Sequence, residues 1–300
     1  MTVITRRLDE PDHRMRARAP KGATARVARQ AQASPAAYVF LIIVLLGSAF
    51  PLWWSFVIGS KDAAAINSGQ VSLLPGGNFL ANASTVISTL PFWKALGNSI
   101  IVSTVVSVLV VLLSTLAGFA FAKLRFRGRE GLLLFVIATM CVPTQLGVVP
   151  LFIVMAKLGW IGGLWAVILP ALVNAFGVFW MTQYLRESLP DELVEAARVD
   201  GASTLRIFWS VALPAARPGA AMLGLFTFIY TWTNFFWPFI VLEPGNPTLP
   251  VALQQLQAAY YVDYSLVLAG VVLAAIPLLI VFVLAGRQLV SGIMQGAVKG

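Results

Sequence analysis

The amino-acid sequence predicts an all-α integral membrane protein with six transmembrane helices. Hydrophobic residues make up 59% of its 300 residues and charged residues only 11%, which is unusual for a water-soluble domain of this length. The apolar residues are gathered in continuous runs, whereas soluble helices or strands would show them at a period of 3.6 or 2. Because a helix needs about 20 residues to cross a hydrocarbon core about 30 Å thick, these runs predict membrane spans.

Six runs are long enough, and none contains Asp, Glu, Lys or Arg, which are costly at the centre of a bilayer. The chain is therefore expected to consist of a basic leader (1–36), a six-helix membrane domain (37–287) and a tail (288–300). The leader is rich in alanine and short of large apolar residues, so we expect it to be disordered. The six predicted spans are residues 37–58, 98–122, 131–156, 160–184, 220–242 and 264–286.

The distribution of basic residues predicts the orientation of the spans, since Lys and Arg are retained on the cytoplasmic side during insertion. All but three of the 21 basic residues lie in the leader or in the segments after the second, fourth and sixth spans. The exceptions, Lys61, Lys94 and Lys157, all fall on the opposite side. Both termini are therefore expected in the cytoplasm, with the chain in a cell membrane.

Cysteine and histidine usage excludes several kinds of chemistry. The single Cys141 lies in a predicted span and the single His13 lies in the leader, so no disulfide, zinc site or histidine triad is expected. The sequence has no G-x-x-x-x-G-K-[ST] loop, so any ATP would be bound by another chain. A net charge of +9 is also typical of proteins that bind nucleic acid. Because the basic residues flank the spans without a nucleic-acid-binding motif, topology and attraction to anionic membrane lipid explain them more simply.

The most informative segment is the connection between the fourth and fifth spans, residues 186–219, which predicts two short helices joined by a glycine turn. Ser188 and Asp191 form an S-x-x-D pattern that is expected to cap the first helix. Gly201 supplies the backbone freedom that ends this helix.

The spacing of the remaining residues predicts how the two helices are placed. Leu193, Ala196 and Ala197 fall at i, i+3 and i+4, so they are expected to share one face of the first helix. Ser203 is expected to begin the second helix and Pro214 to end it.

Residue types and spacing in this connection match a known motif. The matching residues are Glu195, Ala196, Ala197, Asp200, Gly201, Ala202, Phe208, Leu213, Pro214 and Pro218. They resemble the EAA loop of ABC importer permeases. The C-terminal run GIMQGAVKG (292–300) resembles the tail of the MalG-type permeases that import carbohydrates. The resemblance extends from about the first span to the end of the chain.

The resemblance implies that the first helix of the loop is a coupling helix, which docks in a cleft of an ATP-binding subunit. Small side chains at Ala196, Ala197 and Gly201 would permit close approach. Glu195 would face a basic group of that subunit, and Asp200 would pin the turn.

The resemblance also implies partners and a cargo. The tail ending at Lys299 and Gly300 would reach the ATP-binding subunits. The implied partners are a second permease, two ATP-binding-cassette subunits that hold ATP and Mg²⁺, and an extracytoplasmic solute-binding protein. The cargo would be a di- or oligosaccharide, and residues 250–256 with Tyr260, Tyr261 and Asp263 resemble permeases for cellobiose or other β-glucosides.

The path of the sugar is marked less specifically. Polar residues at membrane depth face a cavity or a neighbouring helix rather than lipid, and sugar rings can rest on aromatic faces. Helix packing explains the polar residues equally well, and anchoring at the membrane interface is a further explanation for the tryptophans. The candidates are Gln145, Asn174, Thr231, Trp232, Asn234 and Trp237. At Asn234 the chain departs from MalG-type permeases, which commonly have an acidic residue shortly after the tryptophan.

Five of the prolines in the predicted spans either break helices and free backbone groups to line a cavity, or are tolerated as kinks. They are Pro143, Pro150, Pro170, Pro238 and Pro277.

Two rival classes share the six-span pattern. An intramembrane enzyme would need catalytic residues, but the sequence has no histidine in a span and no G-x-S-x-G elbow. A secondary transporter would need a membrane-embedded carboxylate to couple protons or sodium, and none is present. The sequence therefore favours a transport subunit without catalytic residues of its own.

Overall fold

In a computed structural model of the chain, residues 34–67, 72–258 and 262–297 are described. Every regular element within these ranges is helical, as the sequence predicts. Most of the predicted leader lies outside the described residues, as do Tyr260, Tyr261, Lys299 and Gly300.

The described helices follow one another in a simple order. They are α1 (Pro35–Gly59), α2 (Ala63–Asn67), α3 (Phe79–Thr89), α4 (Phe92–Lys123), α5 (Arg129–Thr139), α6 (Val148–Lys157), α7 (Trp165–Ala171), α8 (Ala175–Ser188), α9 (Asp191–Val199), α10 (Thr204–Ile207), α11 (Leu213–Thr233), α12 (Phe236–Val241), α13 (Leu249–Gln254) and α14 (Tyr264–Ala297). Two 3₁₀ turns, Thr144–Gly147 and Gln255–Gln257, and a π-helical turn, Phe208–Ala212, complete them.

Within the described part of the chain, four helical stretches are long and apolar enough to cross a membrane alone. These are α1, α4, the α10–α11 stretch and α14. Two further stretches pass the same test only as bent pairs: α5 with the stretch from Thr144 to Lys157, at 88°, and α7 with α8, at 41°. The spans therefore number four, or six if each bent pair is one span.

The chain separates into two compact units, residues 1–51 and 52–300. In the first unit, the aliphatic and aromatic side chains of residues 38–46 are all exposed. A helix with apolar side chains exposed all round is the form expected where lipid is the solvent.

In the second unit, α4 packs against both α8 and α11. At the crossing with α8, a Cβ added to Gly118 would lie 2.7 Å from the carbonyl carbon of Met181. At the crossing of α8 with α11, a Cβ added to Gly219 would lie 2.6 Å from Cγ of Tyr184. Glycine is therefore required at 118 for the backbones of α4 and α8 to approach this closely, and at 219 for the ring of Tyr184 to pack against α11.

Two of the five prolines lie at breaks between helices. Pro143 is the N-cap of the 3₁₀ turn between α5 and α6, and Pro170 lies one residue before the end of α7. After Pro170, the side chain of Asn174 accepts a hydrogen bond from the N–H of Gly177 and starts α8. The other three prolines, Pro150, Pro238 and Pro277, lie inside helices.

The fifth predicted span, 220–242, is wrong at both ends. A helical stretch runs without interruption from Thr204 to Thr233, so Pro214 does not end a helix. Proline has no N–H to donate, and the π-helical turn immediately before α11 changes the hydrogen-bond pattern so that the helix continues. At the other end the helix stops at Asn234, and α12 is a separate short helix.

We expect Gly118→Ala to lower the unfolding temperature of the detergent-solubilised protein. The new Cβ would overlap Met181 and force α4 away from α8, at a cost of about 1–3 kcal/mol. The matched control is Gly97→Ala in the same helix, where an added Cβ meets nothing within 4 Å. Both variants gain about 1 kcal/mol of helix propensity, so the difference between their thermal midpoints measures the overlap. Equal midpoints would contradict the close crossing.

Candidate functional site

The first helix of the 186–219 connection is α9, and it begins at Asp191 rather than at Ser188. Ser188 is the last residue of α8, and its buried hydroxyl has no hydrogen-bond partner within the described part of the chain. The predicted S-x-x-D cap is therefore wrong. Leu185 and Leu189 are both buried, which keeps the end of α8 against the core through Ser188, and Pro190 then takes the N-cap position of α9.

The two faces of α9 differ from the predicted pattern. Val194 is buried, and Ala197 packs against the same core cluster. By contrast, Leu193, Ala196 and Val199 are exposed, Val199 to 88%. The predicted grouping of Leu193 with Ala196 is thus correct, but Ala197 belongs to the inward face because Val194 directs that side of the helix into the core.

The turn after α9 has the predicted geometry. Gly201 has a φ of +77°, a backbone conformation that residues with side chains rarely adopt. The N–H of Gly201 donates to the carbonyl of Arg198 at 2.9 Å, and the N–H of Ala202 donates to that of Ala197 at 3.0 Å. These two bonds form a Schellman motif, in which Asp200 is the C-cap.

The second helix also begins as predicted. The hydroxyl of Ser203 accepts a hydrogen bond from the N–H of Arg206 at 3.4 Å. Ile207 and Phe208 are buried, whereas Leu205 and Trp209 are 64% and 55% exposed. Further along, Leu213 packs against the core and Pro214 is exposed.

Together the two helices expose apolar side chains in a segment that also carries Arg186, Arg198 and Arg206. Charged neighbours show that this segment is not surrounded by hydrocarbon, so these side chains form an exposed apolar patch, a feature that is typical of interaction sites. We call this set of residues the coupling surface. It consists of Leu193, Ala196, Val199, Leu205 and Trp209.

An ion pair attaches α9 to the end of α4. The Nζ of Lys123 lies 2.7 Å from Oδ1 of Asp191, and the lysine side chain is only 6% exposed while that of the aspartate is 74% exposed. The hydrogen bond and the charge of Lys123 lower the pKa of Asp191, and the charges of Arg125 and Arg129 lower this pKa further. Asp191 also suits the positive N-terminal end of α9.

Glu195 lies on the exposed side of α9. Within the described ranges, the ion pairs are Lys123–Asp191 and Arg129–Glu130, so the carboxylate of Glu195 has no ion-pair partner among the described residues.

Three of the predicted pathway residues have partners inside the bundle. The indole N–H of Trp232 donates to the carbonyl of Ala274 at 3.2 Å, and that of Trp237 to the carbonyl of Ala166 at 2.8 Å. Asn174 is the N-cap of α8 described above.

The other three pathway residues do not form one group. Gln145 lies in the 3₁₀ turn between α5 and α6, whereas Thr231 and Asn234 lie together at the end of α11. A pocket of about 350 Å³ begins just after Asn234 in the chain, and none of the six predicted pathway residues lines it. It is lined by Phe235, Pro250, Leu253, Gln254, Gln257, Val267 and Val271, three of which belong to the sugar-permease-like segment 250–256.

Comparison with known proteins identifies the family. Residues 111–290 match the model of the family described as binding-protein-dependent transport system inner membrane component. Over 210 residues the chain is 37% identical to the arabinooligosaccharides transport system permease protein AraQ of Halalkalibacterium halodurans, which covers 70% of this chain and 75% of that protein. Over 265 residues it is 32% identical to the lactose transport system permease protein LacG of Rhizobium radiobacter, covering 87% and 95%.

A solved structure agrees with these relatives. The fold is similar to that of a bacterial ABC transporter involved in the import of the acidic polysaccharide alginate, with a TM-score of 0.70 and 26% identity over 90% of this chain and 98% of that chain. The family predicted from the 186–219 motif is thereby confirmed. The chain belongs to the family of inner-membrane components of binding-protein-dependent transport systems.

Proposed function

We propose that this chain is one of two permease subunits of an ATP-driven sugar importer, and that its coupling surface docks on an ATP-binding subunit. The two relatives are named for transport of arabinooligosaccharides and lactose, and the similar structure for alginate import, so carbohydrate is the cargo class that they share. The observation that carries the coupling role is the exposure of large apolar side chains on α9 and α10 among charged residues.

The contacts of α9 and α10 suit a transmitting element. Val194 of α9 and Ile207 of α10 are buried in one cluster with Phe119 of α4 and Leu185 of α8. A force applied to the coupling surface would therefore reach these helices directly. Because α10 continues into α11 without a break, α11 would move with it as a rigid lever.

The remaining partners follow from the same proposal. The ends of the helices that carry Lys123 and Asp191 face the cytoplasm, and both termini lie on that side. On this proposal the tail (288–300, with Lys299 and Gly300) contacts the ATP-binding subunits. A second permease completes the pathway, and an extracytoplasmic solute-binding protein delivers the sugar to the opposite side.

Among the predicted pathway residues, we propose that Gln145, Thr231 and Asn234 contact the sugar, since Asn174, Trp232 and Trp237 already have partners in the bundle. The resemblance of residues 250–256 to β-glucoside permeases makes cellobiose the first sugar to test. Co-purification with an ATPase and a second permease distinguishes the importer from a secondary transporter or an intramembrane enzyme, which would act alone.

Crosslinking tests the docking directly. Because Cys141 is the single cysteine, Cys141→Ser provides a cysteine-free background. In membranes that contain the whole transporter, we expect Val199→Cys to crosslink to the ATP-hydrolysing subunit. The control is Asp62→Cys, an exposed position at the other end of the bundle, which is expected not to crosslink. Absence of a crosslink from Val199→Cys during active uptake would rule out the proposed docking.

Charge reversal tests the role of Glu195. Glu195→Lys is expected to leave insertion intact and to lower substrate-stimulated ATP hydrolysis in reconstituted vesicles by about tenfold or more, because an interfacial charge pair becomes a repulsion. Glu187→Lys makes the same change at an exposed position on α8, outside the coupling surface, and should retain normal activity. Normal coupled turnover by the Glu195→Lys transporter would refute the role.

The ion pair between Lys123 and Asp191 predicts a pH dependence. Pairing lowers the pKa of Asp191 in the folded protein below its unfolded value of about 3.9. The pair therefore stabilises the folded state above that pH, and this contribution is lost as the pH falls through the lower, folded pKa. We expect Asp191→Asn to lower the unfolding temperature slightly at neutral pH, since the carboxylate is exposed, and to match the wild type only once the pH has fallen below the lowered, folded pKa of Asp191. If the unfolding temperatures of the variant and the wild type differed by the same amount at every pH, the ion pair would be excluded as the cause of the difference.

A further inference from the structure

The turn between α4 and α5 carries a dense group of positive charges. Four basic residues, Lys123, Arg125, Arg127 and Arg129, fall within seven positions. The turn also borders an open surface pocket of about 450 Å³. Its lining residues are Arg125, Phe126, Gly128, Arg129, Glu130 and Gly131.

The turn makes two internal contacts beside the pocket. Nη1 of Arg129 donates to the carbonyl of Leu124 at 3.3 Å, and the rings of Phe126 and Phe121 lie with their centroids 5.9 Å apart. Because the pocket is already formed, a ligand would bind without first having to order the turn.

The charges around the pocket are not balanced within the described part of the chain. Lys123 is neutralised by Asp191, and Arg129 has only a 3.9 Å contact with Glu130, whose side chain is 88% exposed. Arg125 has no carboxylate within 4 Å in that part of the chain. Helix α5 begins next to the pocket without a side-chain cap. The positive N-terminal end of its dipole therefore adds to the positive charge at the pocket. The pocket therefore favours an anion.

We propose that this pocket binds the phosphate of an anionic membrane lipid headgroup. The turn joins two helices that lie in the membrane, which places it at the level of the headgroups. Phe126 is 42% exposed between Arg125 and Arg127, and an aromatic ring flanked by cations suits the boundary between acyl chains and phosphates. Guanidinium groups pair with phosphate oxygens through two parallel hydrogen bonds. The proposal depends on the membrane position of the chain and not on the coupling role of α9.

Native mass spectrometry of the full-length chain, purified with the subunits that accompany it, tests the proposal. The protein is exchanged into detergent that contains either phosphatidylglycerol or phosphatidylcholine. We expect phosphatidylglycerol to be retained preferentially. Arg125→Gln is expected to reduce its retention about five-fold, which is the effect of one cation near an anionic surface. Because Arg125 is exposed, this variant removes the charge without disturbing the core.

The control is Arg217→Gln, which removes an equal charge from an exposed arginine of α11 that does not line the pocket. It is expected to retain the lipid like the wild type. Equal loss in both variants would show diffuse attraction and overturn the site, as would equal retention of the two lipids. Release of the lipid by excess inorganic phosphate would show a small-anion pocket instead. Loss of the ATP-binding subunit from Arg125→Gln, with lipid retention unchanged, would reassign the turn to a protein interface.

Discussion

Helix α4 touches both α8 and α11, and there is no bulk water in a bilayer core to drive these helices together by the hydrophobic effect. Close packing and internally satisfied polar groups must supply the association instead. The packing is provided by Gly118 at the crossing with α8. The buried hydroxyls of Thr115, Thr182 and Thr227 each donate to a carbonyl one turn earlier in their own helix. These three hydroxyls are satisfied inside their own helices, so they can be buried without solvent, and close packing supplies the association of the helices.

The packed core of the bundle extends into the 186–219 connection. Val194 and Ile207, from the two helices of the 186–219 connection, are buried beside Met181 of α8 and Leu223 of α11. Had α9 been attached only by the exposed ion pair to Lys123, a push from another subunit would have bent the loop without moving the spans. Burial of one side of α9 leaves its other side, with Leu193 and Val199, free for a partner. The same helix can therefore both receive and transmit a displacement.

Sequence patterns predict the features that depend on length and on local chemistry. The long apolar runs predict the membrane helices, and Gly201 and Ser203 are predicted correctly because a left-handed turn and an N-cap need only local residue types. Features set by tertiary packing could not be obtained in this way. Burial of Leu189 keeps α8 helical through Ser188, so a good capping pattern fails. Pro214 is tolerated because a π-helical turn comes before it, and local residue types do not predict such a turn.

The uninterrupted stretch from Thr204 to Thr233 has a consequence for how coupling and substrate access are related. At about 1.5 Å per residue, its 30 residues span roughly 45 Å, enough to carry a displacement from the coupling surface to the opposite end of the bundle. There the helix stops at Asn234, beside the 350 Å³ pocket lined by Phe235 and Gln254. When this helical stretch moves as one body, its own shape stays the same. The bundle then changes shape where the stretch ends. On the proposed function, the break at Asn234 is therefore where movement of an ATP-binding subunit alters access to the sugar.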